Sequence, residues 1–302
     1  MDNTFERDYG NISFGSEDGI RCAFIEGVRH FDVSRIFDCG QTFRFDPVNG
    51  TDHEKEWAGA AFGRFVSFAQ DGDLVTVYNT DEKDFYGLWL GYLSLDVPYG
   101  ELNADILSRS GAPALAGAVR AGDGIRLLRQ DPWETVCSFI ISQNNNIPRI
   151  KGLVRAISDA AGDDISCPGM ERHGYTGEKA FPSAAAVMTL GEEKLRLMKT
   201  GFRAPYIYGA AEAVATGILD LKAVASAPTD EASGMLQSLR GVGPKVASCA
   251  LLFGFGRTEA FPVDVWIKRV IAKYFPGEFS PSTLGPYAGL AQQYLFYYER
   301  YL

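Results

Sequence analysis

The sequence predicts an α+β protein, with a β-rich N-terminal region followed by a mostly α-helical body. Two neighbouring runs, FGRFVSFAQ and LVTVYNT, are rich in alternating, β-branched or aromatic residues. Asp71-Gly72-Asp73 separates them, which is a hairpin signal. From about Asp84 the apolar spacing changes to the helical period and holds it to the C-terminus. A chain of 302 residues has room for two domains. The expected division is a β-rich domain over 1–110 and a helical region over 111–302, packed together because no flexible linker stands out.

The elements follow in order. CAFIEGVRHFDVSRIFDCGQTFRF combines a short helical or extended stretch with a glycine-punctuated strand, and WAGAAFG reads as a further strand. DFYGLWLGYL, YGELNADILSR, PALAGAVRAG and PWETVCSFIISQ carry the helical period, and PRIKGLVRAISDAAG starts with a proline suited to a first turn. DDISCPGMERHGYTGEKAFPS, with its Pro, Gly and Ser, predicts a loop. SAAAVMTL, EEKLRLMKT, PYIYGAAEAVATG, EASGMLQSLR, PKVASCALLF, DVWIKRVIAKYF and GPYAGLAQQYLFYYERYL complete the helical body, with no long internal repeat.

Composition narrows the function classes. A hydrophobic content of 46% supports a packed core. No run approaches the roughly 20 apolar residues of a membrane helix, and the N-terminus MDNTFERDYG is too acidic for a secretory or transit signal. A soluble intracellular protein, not secreted and not membrane-bound, is expected. The five cysteines (Cys22, Cys39, Cys137, Cys167, Cys249) are scattered without CxxC spacing, which fits free thiols. The three histidines are equally dispersed and do not form a metal-ligand pattern. A net charge of −9 argues against nucleic acid as partner. Between Arg196 and Lys273, however, ten Lys/Arg accompany six Asp/Glu, so a locally basic face on an acidic protein is available.

The most informative window is LQSLRGVGPKVASCALLFGFGRTEAFPVDVW. Helix signals flank Gly241-Val242-Gly243-Pro244, which predicts a helix-hairpin-helix over about 230–256. Backbone N–H groups of Gly241, Val242 and Gly243 at a helix N-terminus suit a phosphate; a purely structural turn has the same spacing. Lys245 follows in the first turn. The positive helix end and burial both disfavour its ammonium form, which favours a nucleophilic amine able to form a Schiff base. A phosphate contact or a solvated charge is the alternative for an isolated lysine. Asp264 stands one apolar helix and a Gly-rich turn further on, so the chain can return it to the Lys245 end. There a carboxylate can stabilise positive charge at a sugar C1′ and move protons, while also capping the next helix.

With these residues in place, the chain resembles the helix-hairpin-helix DNA glycosylases, and within them the 8-oxoguanine DNA glycosylase family. The resemblance runs from about Phe37 to the C-terminus through FDCGQTFRF, DPWETVCSFIISQNNNIPRI, TGFRAPYI, LRGVGPKVASCALLFGF, FPVDVW and GPYAGLAQQYLF. It implies an N-terminal twisted antiparallel sheet joined to helical subdomains, with the active site in the cleft between them. It also implies Lys245 as nucleophile and Asp264 as its carboxylate partner. Gly40 would aim its carbonyl at the N7–H that distinguishes 8-oxoguanine from guanine; a strand-end turn glycine is the alternative. Gln292 would hydrogen-bond the base edge, Phe296 would stack on the flipped base, and Cys249 would face its other side. Core packing is the alternative for Phe296 and Cys249. Asn144, Arg149 and Arg203 resemble residues that hold the orphaned cytosine, and Phe202 the wedge that fills the stack. Non-specific phosphate contact is the alternative for the two arginines.

The resemblance further implies double-stranded DNA containing 8-oxoguanine as partner, and a monomer acting in the cytoplasm or nucleoid of a prokaryote, or in a eukaryotic nucleus. No cofactor is required. No cysteine follows Cys249, so the four-cysteine iron–sulfur loop of related pyrimidine-specific enzymes cannot form. Some hairpins of this superfamily hold a monovalent cation on backbone carbonyls, which the resemblance places at Gln237, Leu239 and Val242. Trp266, where a histidine is usual, Pro148 and Phe202 depart from the animal pattern and suggest a microbial member. The function implied is a bifunctional glycosylase/lyase for 8-oxoguanine, preferentially opposite cytosine. The rivals are a related glycosylase for another damaged base and a non-catalytic damage-binding protein.

Overall fold

The computed structural model describes residues 7–109, 112–175, 177–275 and 277–301. Six strands form one sheet: β1 Ile12–Glu17, β2 Ile20–Ile25, β3 Phe45–Pro47, β4 Lys55–Ala61, β5 Arg64–Asp71 and β6 Leu74–Tyr78. Their order is β1-β2-β6-β5-β4-β3, and every neighbouring pair is antiparallel. The β5–β6 hairpin turns at Gly72-Asp73, where its alternating sequence requires. The β1–β2 hairpin turns at Asp18-Gly19, an Asp-Gly signal that the sequence reading passed over.

The sheet is covered on both faces, so its central strands are apolar beyond simple alternation. In β5 every residue from Phe65 to Gln70 is buried. One face packs Phe37 of the helix Val33–Asp38 and Trp89 against Phe68 and Val77. Across the other face run residues 163–175 and 177–180, in a stretch that the sequence predicts as a plain loop. They form instead an ordered strap, with a short pair of strands, Asp164–Ile165 and Glu178–Lys179, and one turn at Glu171–His173. Met170 packs on Ala58 and Phe65, the Tyr175 hydroxyl donates to the Ala58 carbonyl at 2.8 Å, and the His173 ring lies 2.8 Å from the Glu56 carboxylate. Each large side chain buried this way stabilises by about 1.5–3 kcal/mol. Burial alone would raise the Glu56 carboxyl. The close approach of the His173 ring and hydrogen bonds from Ser67 and Thr51 outweigh it and hold the group at about 2.

The helical body begins beyond the sheet. The helix Pro132–Ser142 runs through its core, buried nearly all round, and delivers Ser142 and the loop after it to the edge of a cleft. The two halves are pinned by Arg126, which is wholly buried. Its guanidinium donates to the carbonyls of His30 (2.9 Å) and Ser94 (2.8 Å) and to the Asp8 carboxylate (2.9 Å), and it lies over the Tyr99 ring. A short helix, Leu221–Ser226, capped by Asp220, is an element that the sequence reading did not resolve. Among the described residues, no helix is long and apolar enough to cross a membrane.

Candidate active site

The hairpin joins the helix Thr229–Gln237 to the helix Pro244–Gly254. Gly241 has φ +84°, and a Cβ there would fall 2.3 Å from the Tyr206 ring, so both backbone shape and close approach demand glycine. The Val242 N–H closes the turn on the Leu239 carbonyl at 3.0 Å while its side chain is buried. Gly243, the N-cap, and Pro244 are exposed, which leaves the helix N-terminus open to an anion.

Lys245 enters a pocket one residue later. Its Nζ donates to Ser142 Oγ at 3.4 Å and sits 5.2 Å above the Phe139 ring, which stacks on Phe253. Cys249, one turn on, is buried. Burial raises its thiol, the Lys245 charge lowers it and the Asp264 charge raises it; all three residues line one pocket. Asp264 caps the helix Val265–Tyr274 by accepting from the Ile267 N–H at 2.8 Å, and it lines the same pocket. Capping and pocket lining thus coexist, as the sequence allowed.

The pocket measures about 60 Å³, and its walls come from both halves of the molecule: Cys39 and Gly40 from the N-terminal region, Gln292, Gln293 and Phe296 from the C-terminal helix Ala288–Tyr301. Gly40 has φ +82°, and a side chain at this position would reach the Phe296 ring. Gln292 is 4% exposed, yet its Oε1 accepts no hydrogen bond. A buried acceptor without a donor costs stability, so it marks a place kept for a ligand's N–H. Two residues that the sequence reading missed hold this wall. Gln293 donates to the Cys39 carbonyl at 2.8 Å. The buried Gln41 amide donates to the Ile36 and Arg126 carbonyls, both at 2.9 Å, and accepts from the Leu128 N–H at 2.9 Å. Burial pushes the Cys39 thiol up to about 12, which removes it as a nucleophile near neutrality.

A second group of residues gathers around the loop that follows Ser142. Asn144 and Arg149 are exposed, and Asn144 adopts φ +48°. Arg203 is 2% exposed. It donates through Nε to the Gln143 carbonyl (2.9 Å) and through its terminal nitrogens to Thr200 (3.2 Å), Asn144 (2.9 Å) and again Gln143. Burial and the nearby Arg149 charge both lower the Arg203 guanidinium below its usual value. Arg149 reaches the Lys199 carbonyl at 3.2 Å. Phe202 is half exposed, with the Arg203 guanidinium 4.4 Å from its ring and the Tyr206 ring edge-on at 6.2 Å. Trp266 is half-buried beneath Arg269. Lys199, Arg240, Lys268 and Arg269 are exposed cations on this stretch, whereas Arg196 and Lys273 face acids and Arg257 is tied to backbone carbonyls.

A glycine hairpin, a lysine at the helix start, a helix-capping aspartate and an interdomain pocket define the helix-hairpin-helix class of base excision repair proteins. Residues 137–282 match the model of that class, the HhH-GPD superfamily of base excision DNA repair proteins. Residues 24–136 match the N-terminal domain of 8-oxoguanine DNA glycosylase, and the chain belongs to that family. It is 30% identical over 288 residues to an N-glycosylase/DNA lyase of Arabidopsis thaliana, covering 87% of this chain and 76% of the relative. The Clostridium acetobutylicum 8-oxoguanine glycosylase/lyase, in complex with double-stranded DNA bearing cytosine opposite 8-oxoguanine, superposes with a TM-score of 0.86 at 34% identity over 97% of this chain and 98% of that one. Its apo-form gives 0.87, covering 96% of this chain and 99% of that one.

Proposed function

We propose that this protein excises 8-oxoguanine from duplex DNA, preferentially opposite cytosine, and then nicks the strand as a lyase. The observation that carries this reading is the pocket in which the Lys245 amine, the Asp264 carboxylate, the Gly40 turn and the unpartnered Gln292 Oε1 meet. The exposed hairpin end takes a backbone phosphate and the exposed cations hold the duplex. The oxidised guanine is extruded and Phe202 fills the gap, which offsets part of the few kcal/mol that flipping costs. A cavity of about 60 Å³ is small for a purine, so Phe296 and its neighbours move aside as the base enters.

The Lys245 nitrogen attacks C1′ as the glycosidic bond breaks and its electron pair leaves with the base. Asp264 stabilises the positive charge that develops on the sugar. Opening of the sugar ring gives a Schiff base on Lys245. The Asp264 carboxylate takes a C2′ proton, and the electron pair released expels the 3′ phosphate by β-elimination.

At the orphan position, Arg149 and Arg203 present donors to cytosine N3 and O2, whereas adenine would set its amino group against them. Neutral carbonyls of Gln237, Leu239 and Val242 suit a hard monovalent cation, which would add positive charge beneath the hairpin phosphate. The reading places the enzyme, as a single chain per lesion, where DNA resides: a nucleoid or a nucleus.

Incubation with 8-oxoguanine:C duplex and borohydride is expected to give a covalent adduct that Lys245→Gln abolishes. Base release without trapping would identify a monofunctional glycosylase, and no release a binding protein.

A further inference from the structure

Three consecutive residues join the two halves of the site. Ser142 ends the helix Pro132–Ser142. Its hydroxyl donates to the Phe139 carbonyl at 2.8 Å, which fixes the proton and turns a lone pair outward. That lone pair accepts an N–H of Lys245 at 3.4 Å. The next two residues, Gln143 and Asn144, are the ones whose carbonyls Arg203 clamps. Asn144 follows at φ +48°, in the left-handed region that asparagine adopts more readily than most residues. The Asn145 side chain ties the same turn to the Ile141 carbonyl at 3.2 Å. The peptide is therefore rigid, and it carries the nucleophile's oxygen partner at one end and the opposite-base arginine at the other.

We propose that Ser142 is a positioning residue for Lys245 and that the Ser142-Gln143-Asn144 peptide transmits the identity of the opposite base to the nucleophile. This rests on the opposite-base reading of Asn144, Arg149 and Arg203. Cytosine draws the donors of Arg203 and Arg149 towards its N3 and O2, and the clamp on the Gln143 and Asn144 carbonyls adjusts with them. Ser142, one peptide away, moves the amine into line with C1′. Adenine makes no such demand and leaves Ser142 and Lys245 at their resting separation. Discrimination between opposite bases then falls chiefly on the rate of excision and less on binding.

The test is single-turnover excision by wild type, Ser142→Ala and Ser142→Thr on 8-oxoguanine duplexes with C or A opposite, with duplex affinities measured in parallel. Ser142→Ala is expected to lose about tenfold in rate opposite C, the worth of about one hydrogen bond, and less than about twofold opposite A. The affinity ratio stays unchanged, and Ser142→Thr, which keeps the hydroxyl, restores the rate ratio. An equal loss opposite both bases would make Ser142 a holder of Lys245 alone and overturn the transmission, as would no loss at all. Failure of Ser142→Thr to restore the ratio would contradict the role of the hydroxyl. A wild type that excises equally opposite C and A would sink the opposite-base reading itself, and the bridge with it.

Discussion

Among the buried arginines, Arg126 and Arg203 are buried differently. Arg126, at 0% exposure, sits at the joint between the sheet and the helices, paired with the Asp8 carboxylate and surrounded by carbonyls. Arg203, at 2%, sits against the loop that follows Ser142; among the described residues it meets carbonyls only, with a second arginine nearby and an exposed ring against it. The first is a closed account of charge, and the second is open. A buried cation without a counter-charge is costly, and the chain tolerates one where an acceptor-rich base is expected. Gln292 repeats the lesson in neutral form, since its acceptor is buried and unpartnered in the Lys245–Asp264 pocket while Gln41, beside Gly40, has every polar atom engaged.

The comparison can be broken in several ways. Arg126→Met leaves Asp8 buried and unpaired and is expected to cost about 3–5 kcal/mol, read from the urea midpoint, with the ratio of excision opposite C and A untouched in whatever remains folded. Arg203→Met is expected to cost less, about 1–3 kcal/mol, because no carboxylate is orphaned, and to erase most of that ratio. If the two variants exchanged phenotypes, the distinction between closed and open burial would fail.

Glu56 sharpens the same contrast through pH. Its folded-state carboxyl is held down at about 2, against an ordinary 4.5, so its contribution is fully present above the unfolded value and is lost as pH falls through the folded one. Glu56→Gln should therefore destabilise at neutral pH, and the gap from wild type should shrink between pH 4.5 and about 2; a gap independent of pH over that range would show that the His173–Glu56 seam is not held by ionisation. The smallest effect on stability is expected for Phe202→Ala, within about 0.5 kcal/mol because the ring is half exposed. The same change should weaken base extrusion, read as 2-aminopurine fluorescence beside the lesion. A large loss of stability without change in extrusion would recast Phe202 as a core residue.

What could be read in the sequence was local. Gly241, Pro244 and Lys245 announce a turn, a helix start and an amine within five positions, and Asp264 announces a cap. The elements that escaped depend on partners far along the chain. Gln41, Gln293 and Arg126 are unremarkable polar letters until the fold brings carbonyls to them, across 85 residues for Gln41 and 254 for Gln293. The strap over the sheet looked like a loop because its few apolar residues, Met170 among them, pack on β4 and β5 and not on one another. Ser142 was hidden for a related reason, since its partner Lys245 lies 103 residues away.

The claim on which the account stands is that the Lys245 nitrogen bonds the sugar. The direct measurement is peptide mapping of the borohydride-reduced protein–DNA adduct by mass spectrometry. The account predicts the deoxyribose remnant on Lys245 and on no other residue; a remnant on a different lysine or on the N-terminal amine would contradict it.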